Sequence, residues 1–271
     1  MFHPNKTPRA KSSNVRFNVV NLTARHNGLE TTPMTVTSSN ERMRENVSNK
    51  PNIKVCKDGP YSVSGTIPLF ELTVGNDAED YPCDYHVSKR FPLHENYSLC
   101  RCGQSKDKPF CDKTHEAAHF NGTETASRVS YRARAEELQG PKLVLTDVRD
   151  LCSHVGMCLR AGGIRDLILH SDDPDARRMA LAEVANCNSG RLMASNKKNG
   201  RLIEPKLEPS IAVVEEPLRG YDGPLWVRGG IPIESADGVT YEIRNRVTLC
   251  RCGISSNKPF CDGSHRVIKK V

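Results

Sequence analysis

The sequence predicts an α+β protein made mostly of short β-strands and loops, with two similar modules separated by a small α+β insert. Two observations predict the modules. A stretch with three cysteines and one histidine occurs twice, and the residues before each copy are also repeated. A third observation predicts the insert, because the segment between the copies shares neither repeat and contains three further cysteines and a helix start signal.

The chain begins with a polar, basic segment. Residues 1–50 contain eight Lys or Arg and three Asp or Glu, which accounts for +5 of the formal net charge of +7 at pH 7. We expect this tail to be disordered, because it is rich in Ser, Thr and Asn. An organellar transit peptide is the alternative, since no acidic residue precedes Glu30. The rest of the chain has little net charge, so no nucleic-acid partner is expected.

The first module is predicted over residues 51–120. Short strands bounded by Gly and Pro are predicted at 53–55, within 61–70 and at 97–99. The last of them leads into the sequence CRCGQSKDKPFCDKTH. The candidate metal ligands in this stretch are Cys100, Cys102, Cys111 and His115.

The insert is predicted over residues 121–205. Strands are predicted at 143–145 and 164–170, and Asp173 followed by Pro174 predicts the first residues of a helix. The insert also contains Cys152, Cys158 and Cys187. Three buried structural cysteines are one interpretation, because a free cysteine packs like a small hydrophobic side chain.

Residues 206–222 are predicted to be a connector, and the second module is predicted over residues 223–271. Its sequence GPLWVRGGIPIE parallels GPYSVSGTIPLFE in the first module. It ends in CRCGISSNKPFCDGSH, where Gly253, Pro259 and Gly263 bend the backbone so that four side chains can converge on one centre. The spacing predicts a metal site formed by Cys250, Cys252, Cys261 and His265.

Two kinds of metal centre suit these residues. Three cysteines and one histidine can hold a structural zinc ion, but zinc modules usually place two to four residues between paired cysteines, and here one residue separates Cys250 from Cys252. Asp262 and Ser264 are good helix N-cap residues, which predicts a short helix near Cys261. Its positive end would favour an anionic, thiolate-bound cluster.

The stretch from Cys250 to His265 resembles the motif C-x-C-x2-[ST]-x3-P-x-C-D-G-[STA]-H of the CDGSH iron-sulfur family, the mitoNEET-like proteins. In that family the three Cys and the His hold one 2Fe-2S cluster, so the resemblance implies these ligands for the second module. The first module departs from the motif only at Lys113, which replaces the glycine, and the resemblance implies a second 2Fe-2S cluster there. Members with one motif are homodimers, which implies a monomeric pseudo-dimer for a chain with two motifs.

The insert resembles a single-cluster ferredoxin-like domain, of the divergent mono-cluster type that accompanies CDGSH motifs. Bacterial ferredoxins place cysteines in a C-x2-C-x2-C run with a distant fourth cysteine. Here Val155 stands at the middle position of the run, and Cys187 is the distant cysteine. The resemblance implies a 3Fe-4S cluster on Cys152, Cys158 and Cys187, or a 4Fe-4S cluster whose fourth iron binds another group such as His154.

Lys113 predicts that the two CDGSH sites differ. If the backbone there is left-handed, lysine costs about 1 kcal/mol relative to glycine, so the first loop is either strained or differently shaped. The ammonium group of Lys113 is also two residues from His115, where a positive charge favours the reduced cluster. We therefore expect the first site to have the higher reduction potential and to release its cluster at the lower pH.

The expected function is that of an electron carrier, in which single electrons pass among the clusters and a redox partner protein. The alternative is a donor of labile clusters to an acceptor, or a redox or iron sensor, because a histidine ligand can take up a proton. No nucleotide fingerprint, nucleophile elbow or H-E-x-x-H motif is present, so an enzyme is not expected.

The amino-acid composition restricts the cellular compartment in which the protein is expected to work. The chain has 271 residues and 11 cysteines, with only 6% aromatic residues, so cofactors are expected to replace part of the core. Because neither a secretory signal nor an apolar run of spanning length is evident, the cysteines are expected to be metal ligands in a reducing compartment. We expect a cytoplasmic protein without a membrane span, with a mitochondrion or another organelle as the alternative. The sequence assigns no role to Cys56 or Cys83.

Overall fold

The computed structural model describes residues 50–268, which form thirteen β-strands, four α-helices and three short 3-10 helices. This confirms the predicted α+β class with mostly short strands and loops. The predicted tail lies outside the described residues except for Lys50. Within residues 50–268, no helix is both long enough and apolar enough to cross a membrane.

Strands predominate in both duplicated modules, and the two longest helices lie between them. The strands are β1 (Asn52–Val55), β2 (Tyr61–Ser64), β3 (Leu69–Asn76), β4 (Pro82–Arg90), β5 (Asn96–Leu99), β6 (Glu136–Gln139), β7 (Leu143–Asp147), β8 (Leu192–Asn196), β9 (Leu202–Ile203), β10 (Ser210–Glu216), β11 (Tyr221–Arg228), β12 (Ile233–Glu234) and β13 (Arg246–Leu249). The α-helices are α1 (Thr114–Ala117), α2 (Tyr131–Arg134), α3 (Ile164–Leu169) and α4 (Pro174–Asn186). The 3-10 helices are Arg149–Leu151, Pro217–Arg219 and Ser264–Val267.

Two of the three sheets combine strands from both modules. The first sheet has the order β12-β1-β2-β5, in which β12 lies parallel to β1 with Ile233 opposite Ile53. The second sheet has the order β13-β11-β10-β3-β4, in which β3 lies parallel to β10 with Leu69 opposite Ile211. Since β1 and β10 are equivalent in the duplication, as are β3 and β12, the modules exchange one strand each. This is the arrangement expected of a pseudo-dimer within one chain.

The core lies between these two sheets and takes residues from both modules. It includes Ile53 and Val63 from the first sheet and Ile211 and Leu225 from the second, each fully buried. Strand β10, which lies within 206–222, is buried on both faces, because its alternate residues pack into a second cluster on the outer side of the sheet. The run of apolar residues in β10 is typical of such a central strand.

The insert has a sheet of its own and packs on the pseudo-dimer. Strands β6, β7, β8 and β9 pair in that order, and α3 and α4 pack on the sheet. The helix predicted after Asp173 is confirmed as α4, and the strand predicted at 143–145 is confirmed as β7. Val155 is buried with Met157 against β10 and β11, so this position of the cysteine run is a packing residue.

The strand predicted at 164–170 is wrong, because these residues form helix α3. Ile164, Leu167 and Ile168 recur at helical spacing and face the same apolar cluster, although the segment is too short for this spacing to be evident from the sequence. Gly163 precedes the helix at a φ of 91°, a conformation that favours glycine and directs the chain into the helix.

Candidate metal centres

The two duplicated stretches fold in the same way. We refer to residues 100–115 as the first Cys-His loop and to residues 250–265 as the second Cys-His loop. In the second loop the Cys250 N–H donates to the Pro259 carbonyl at 2.8 Å, and the Cys261 N–H donates to the Thr248 carbonyl at 2.9 Å. The first loop has the same two hydrogen bonds at the same lengths. Each loop is therefore folded back so that its third cysteine returns to the first two.

The motif aspartate closes each loop. In the second loop Asp262 accepts hydrogen bonds from the Ser256 N–H at 2.8 Å and the Ser264 N–H at 2.9 Å. Burial alone would raise the pKa of Asp262, but hydrogen bonds from Ser264 and Ser256 outweigh it and hold the pKa at about 2. The predicted short helix is the 3-10 helix that begins at Ser264, three residues after Cys261. Asp262 is a structural cap.

The donor atoms of each loop lie in two pairs. In the first loop the Sγ atoms of Cys100 and Cys102 are 3.7 Å apart, and Cys111 Sγ lies 3.3 Å from His115 Nδ1. The corresponding distances in the second loop are both 3.5 Å. Two donors on one tetrahedral metal with bonds of about 2.3 Å lie about 3.8 Å apart. Among the residues that the structure describes, no group of three or more His, Cys, Asp or Glu side chains converges on a single metal ion.

The thiols of the second loop differ in acidity. Burial raises the pKa of Cys261 well above its usual range. The hydrogen bond between Cys250 and Cys252 lowers the pKa of Cys250 to about 6 and raises that of Cys252. The buried thiols of this loop lose their protons when a metal binds. The chemistry of this donor set suits an iron-sulfur cluster, whose binding releases protons.

The two histidines have different surroundings. The side chain of His265 is 3% exposed, and its Nε2 atom lies 3.6 Å from a carboxylate oxygen of Glu216, which is 1% exposed. The side chain of His115 is 13% exposed, and its Nε2 atom lies 3.9 Å from Glu116, which is 70% exposed. Both rings direct Nδ1 to a cysteine. The two sites therefore differ at the Nε2 side of the ring, where only His265 has a buried carboxylate.

Lys113 has the backbone conformation of the glycine that it replaces. Its φ and ψ are 69° and 6°, and those of Gly263 are 84° and 2°. The first loop therefore keeps the shape of the second and accepts the strain of a left-handed lysine. The alternative expectation, a differently shaped first loop, is wrong.

The three insert cysteines surround one small cavity. Residues 152–158, 186–189, 191 and 192 line it, and Cys152, Cys158 and Cys187 are among them. Burial and the thiols of Cys187 and Cys152 raise the pKa of Cys158 to about 12, although Arg191 opposes them. Arg191 Nη1 donates to Cys152 Sγ at 3.1 Å, and Asp147 holds the guanidinium. This cationic group offsets thiolate charge, so the donor set suits a cluster.

His154 lines the same cavity as the three insert cysteines, whereas Cys56 and Cys83 belong to the first module. The imidazole of His154 packs on the backbone of Gly263 in the second Cys-His loop. Burial lowers the pKa of His154, and the charges of Arg266 and Arg191 lower it further. Cys83 directs its Sγ atom to the Gly75 carbonyl at 3.5 Å in the β3–β4 hairpin, and Cys56 is half-buried.

The two Cys-His loops touch each other through their glycines. A Cβ added at Gly103 would lie 2.5 Å from the Cys252 carbonyl oxygen, and a Cβ added at Gly253 would overlap the Cys102 carbonyl. Both glycines have a positive φ. Tyr61 of the first module adds a polar link, because its hydroxyl lies 2.7 Å from the Cys250 carbonyl oxygen. The two loops are thus direct neighbours.

Comparison with known proteins agrees with this geometry. The family model described as iron-binding zinc finger CDGSH type matches residues 58–116 and 222–266. The family model described as divergent 4Fe-4S mono-cluster matches residues 138–197, between the two CDGSH segments. No curated protein and no solved structure matches the chain.

These matches define the class of the molecule, which is an iron-sulfur protein. More particularly, it contains two CDGSH-type segments with a divergent 4Fe-4S mono-cluster segment between them, as the sequence predicted.

Proposed function

We propose that this protein is an electron carrier with three iron-sulfur sites in one chain. The proposed ligands are Cys100, Cys102, Cys111 and His115 in the first site, Cys250, Cys252, Cys261 and His265 in the second, and Cys152, Cys158 and Cys187 in the insert site. Each Cys-His loop would hold a 2Fe-2S cluster, and the insert would hold a 4Fe-4S or 3Fe-4S cluster. Such clusters supply one-electron transfer when they are bound.

The donor pairs support a two-iron centre in each Cys-His loop. A 2Fe-2S cluster needs two donors on each iron, and the four donors of each loop form two pairs at distances of 3.3 to 3.7 Å. A structural zinc ion needs four donors around one point. The pairing therefore favours the cluster over zinc.

The contiguity of the three sites is the observation that supports a carrier. Gly103 and Gly253 bring the two Cys-His loops into contact, and Asn257 Nδ2 donates to the Asp150 carbonyl at 2.9 Å, which joins the second loop to the insert. Centres in contact can pass electrons to one another and to a redox partner protein. Clusters held for release would need separate access to solvent, and such contacts would hinder it.

We further propose that the chain works as a monomer in a reducing compartment, the cytoplasm. All eleven cysteines are free thiols within residues 50–268, which suits reduced surroundings and metal binding. The proposed division is a tail over 1–50, modules over 51–120 and 223–271, an insert over 121–205 and a connector over 206–222.

Cluster content is the first test. Protein purified without oxygen should contain about seven or eight irons per chain with nearly equal sulfide, whereas two CDGSH sites alone give about four irons. Replacing Cys152, Cys158 and Cys187 together by Ala should remove only the paramagnetic resonance signal of the larger cluster. Unchanged iron in this triple variant would exclude the insert site, and zinc without sulfide would exclude all three.

Carrier and donor roles are separated by a second test. Reduced protein is mixed with ferricyanide, or with an apo-ferredoxin, and its iron is counted afterwards. A carrier is reoxidised by ferricyanide and keeps its iron in both mixtures. A donor loses iron to the apo-ferredoxin, and the first site is the one expected to lose it in that case, because the side chain of His115 is 13% exposed and that of His265 is 3% exposed.

A further inference from the structure

His154 of the insert and Gly263 of the second Cys-His loop form a close contact. Gly263 has a φ of +84°, and a Cβ added there would overlap the imidazole ring, 2.8 Å from Cγ of His154. His154 lies between Cys152 and Cys158 in the chain, and Gly263 lies between Cys261 and His265. The contact therefore joins the ligand-bearing loop of the insert site to that of the second site.

The contact with His154 requires glycine at position 263, whereas the conformation of the loop does not. Lys113 occupies the equivalent position in the first loop with nearly the same φ and ψ, so the loop can form with a side chain there. At Gly263 a side chain would meet the His154 ring. Glycine is the residue that permits such close approach.

A second bridge joins the same two sites. Arg244 Nη1 donates to the Ser189 carbonyl at 3.3 Å, two residues after Cys187. The Arg244 guanidinium also lies 5.9 Å from the centre of the Phe260 ring, beside Cys261. The insert site is thus packed against the second Cys-His loop on two sides.

The first Cys-His loop has no comparable bridge. Within residues 50–268, no hydrogen bond or ion pair joins residues 100–115 to residues 131–205. The insert does contact the first module at β4, where Asn186 Nδ2 donates to the Cys83 carbonyl at 2.8 Å, but β4 contains no ligand of the first loop. The first loop faces the second through Gly103.

We propose that the second Cys-His site and the insert site form a direct electron-exchange pair through the contact of His154 with Gly263, and that the first site reaches the insert only through the second. In each exchange one electron leaves one site, which is oxidised, and enters the other, which is reduced. This order of electron transfer rests on the proposed function, because it requires a cluster in all three sites. Because electron exchange slows steeply as the gap between centres widens, the packed contact is the preferred route.

Magnetic interaction between reduced centres tests the order. The Cys111→Ala and Cys261→Ala variants each lose a ligand of one Cys-His site, and iron and sulfide are counted in both. In the fully reduced protein, loss of the second cluster should remove the broadening or splitting that it causes in the insert signal. Loss of the first cluster should leave the insert signal unchanged. Equal effects of the two variants, or no effect of either, would overturn the order.

A matched pair of substitutions tests the contact with all ligands retained. Gly263→Lys gives the second loop the residue that the first loop has, and it should lower the melting temperature and weaken the magnetic interaction by forcing His154 away. Lys113→Gly, the reciprocal control, should leave the magnetic interaction unchanged and should raise the melting temperature slightly, because it relieves the strain of a left-handed lysine. The double variant Gly263→Lys with His154→Gly removes the overlap and should regain the lost melting temperature, although it should not regain the interaction.

The outcomes separate this inference from the proposed function. Two clusters per chain in the iron and sulfide count would remove the insert site and both proposals with it. Three clusters with no interaction between the second and the insert site would overturn only the electron-exchange pair. If Gly263→Lys leaves the melting temperature unchanged, the position of the His154 ring does not require the absence of a side chain at residue 263.

Discussion

Gly103 lies against the backbone carbonyl of Cys252, so closely that an added Cβ would be 2.5 Å from the carbonyl oxygen. The reciprocal contact joins Gly253 to Cys102. Each glycine directly follows the second cysteine of its own motif and touches that of the other. The two Cys-His loops therefore pack directly on each other, and a change in one loop affects the packing of the other.

Gly103→Ala should destabilise the protein by about 2 to 4 kcal/mol, because a left-handed alanine adds about 1 kcal/mol of strain and overpacking against backbone adds about 1 to 3 kcal/mol. Denaturant unfolding measures the loss. Gly238→Ala is the control, since Gly238 has a φ of +86° and no atom within 4 Å of an added Cβ. Equal losses in the two variants would show that the contact between the loops contributes nothing.

Glu216→Gln should raise the reduction potential of the second site by tens of millivolts, since about 1 kcal/mol corresponds to about 40 mV for one electron. The buried Glu216 carboxylate lies 3.6 Å from His265 Nε2 and disfavours an added electron, although Arg219 at 3.7 Å offsets part of this charge. Redox titration of the Cys111→Ala background isolates the second site. A potential that does not move would show that Arg219 neutralises Glu216 completely.

Lys113→Gly is the matched measurement at the first site, in a Cys261→Ala background. Lys113 is exposed, so water and salt screen its ammonium group, and its removal should shift the first potential by less than about 20 mV. The higher potential predicted for the first site thus depends mainly on the buried carboxylate of the second site. A larger shift from Lys113→Gly than from Glu216→Gln would reverse this assignment.

Glu183→Gln should stabilise the protein more at pH 8 than at pH 5. Burial raises the pKa of Glu183 to about 8, with Arg160 opposing it. Between its unfolded value of about 4.3 and pH 8, the unfolded chain loses this proton while the native state keeps it, so native stability falls as pH rises. The variant lacks this fall in stability, which is on the order of 3 to 4 kcal/mol between pH 5 and pH 8. Unfolding at both pH values measures it, and Glu79→Gln on the surface is the control.

Arg246→Met should destabilise the protein by roughly 3 to 5 kcal/mol, because it leaves Glu204 without its buried partner. Arg246 is 1% exposed, and its guanidinium donates to the carbonyls of Cys187 at 2.8 Å and Leu192 at 3.2 Å. Iron should also be lost from the insert site, since Cys187 loses its support. Arg128→Met removes a surface ion pair and should cost about 1 kcal/mol or less.

The sequence was sufficient for features that are encoded locally. Sixteen residues contain all four donors of each Cys-His loop and the turns between them, so the spacing alone predicted loops that the structure forms twice. The duplication predicted the pseudo-dimer. The helix at Asp173 was predicted for the same reason, since its cap and its first residue are adjacent.

Features that depend on distant residues could not be predicted in this way. Glu216 is 49 positions before His265, and no short motif connects them. Helix α3 was missed because six residues make fewer than two helical turns, and so short a pattern of apolar residues does not distinguish a helix from a strand. Arg191 did have a signal, since it follows Cys187 by four residues and a basic group near a thiol stabilises the thiolate.

Because the modules exchange β3 and β12, neither module can be lost in evolution without harm to the fold of the other. Either module alone would leave an unpaired strand edge where its partner's strand should lie, and exposed edges promote aggregation. Neither half of the duplicated gene can therefore be deleted without harming the other. A module that lost all four of its proposed metal ligands would still be retained for its strand, so the two loops are free to diverge in chemistry while their sheets must change together.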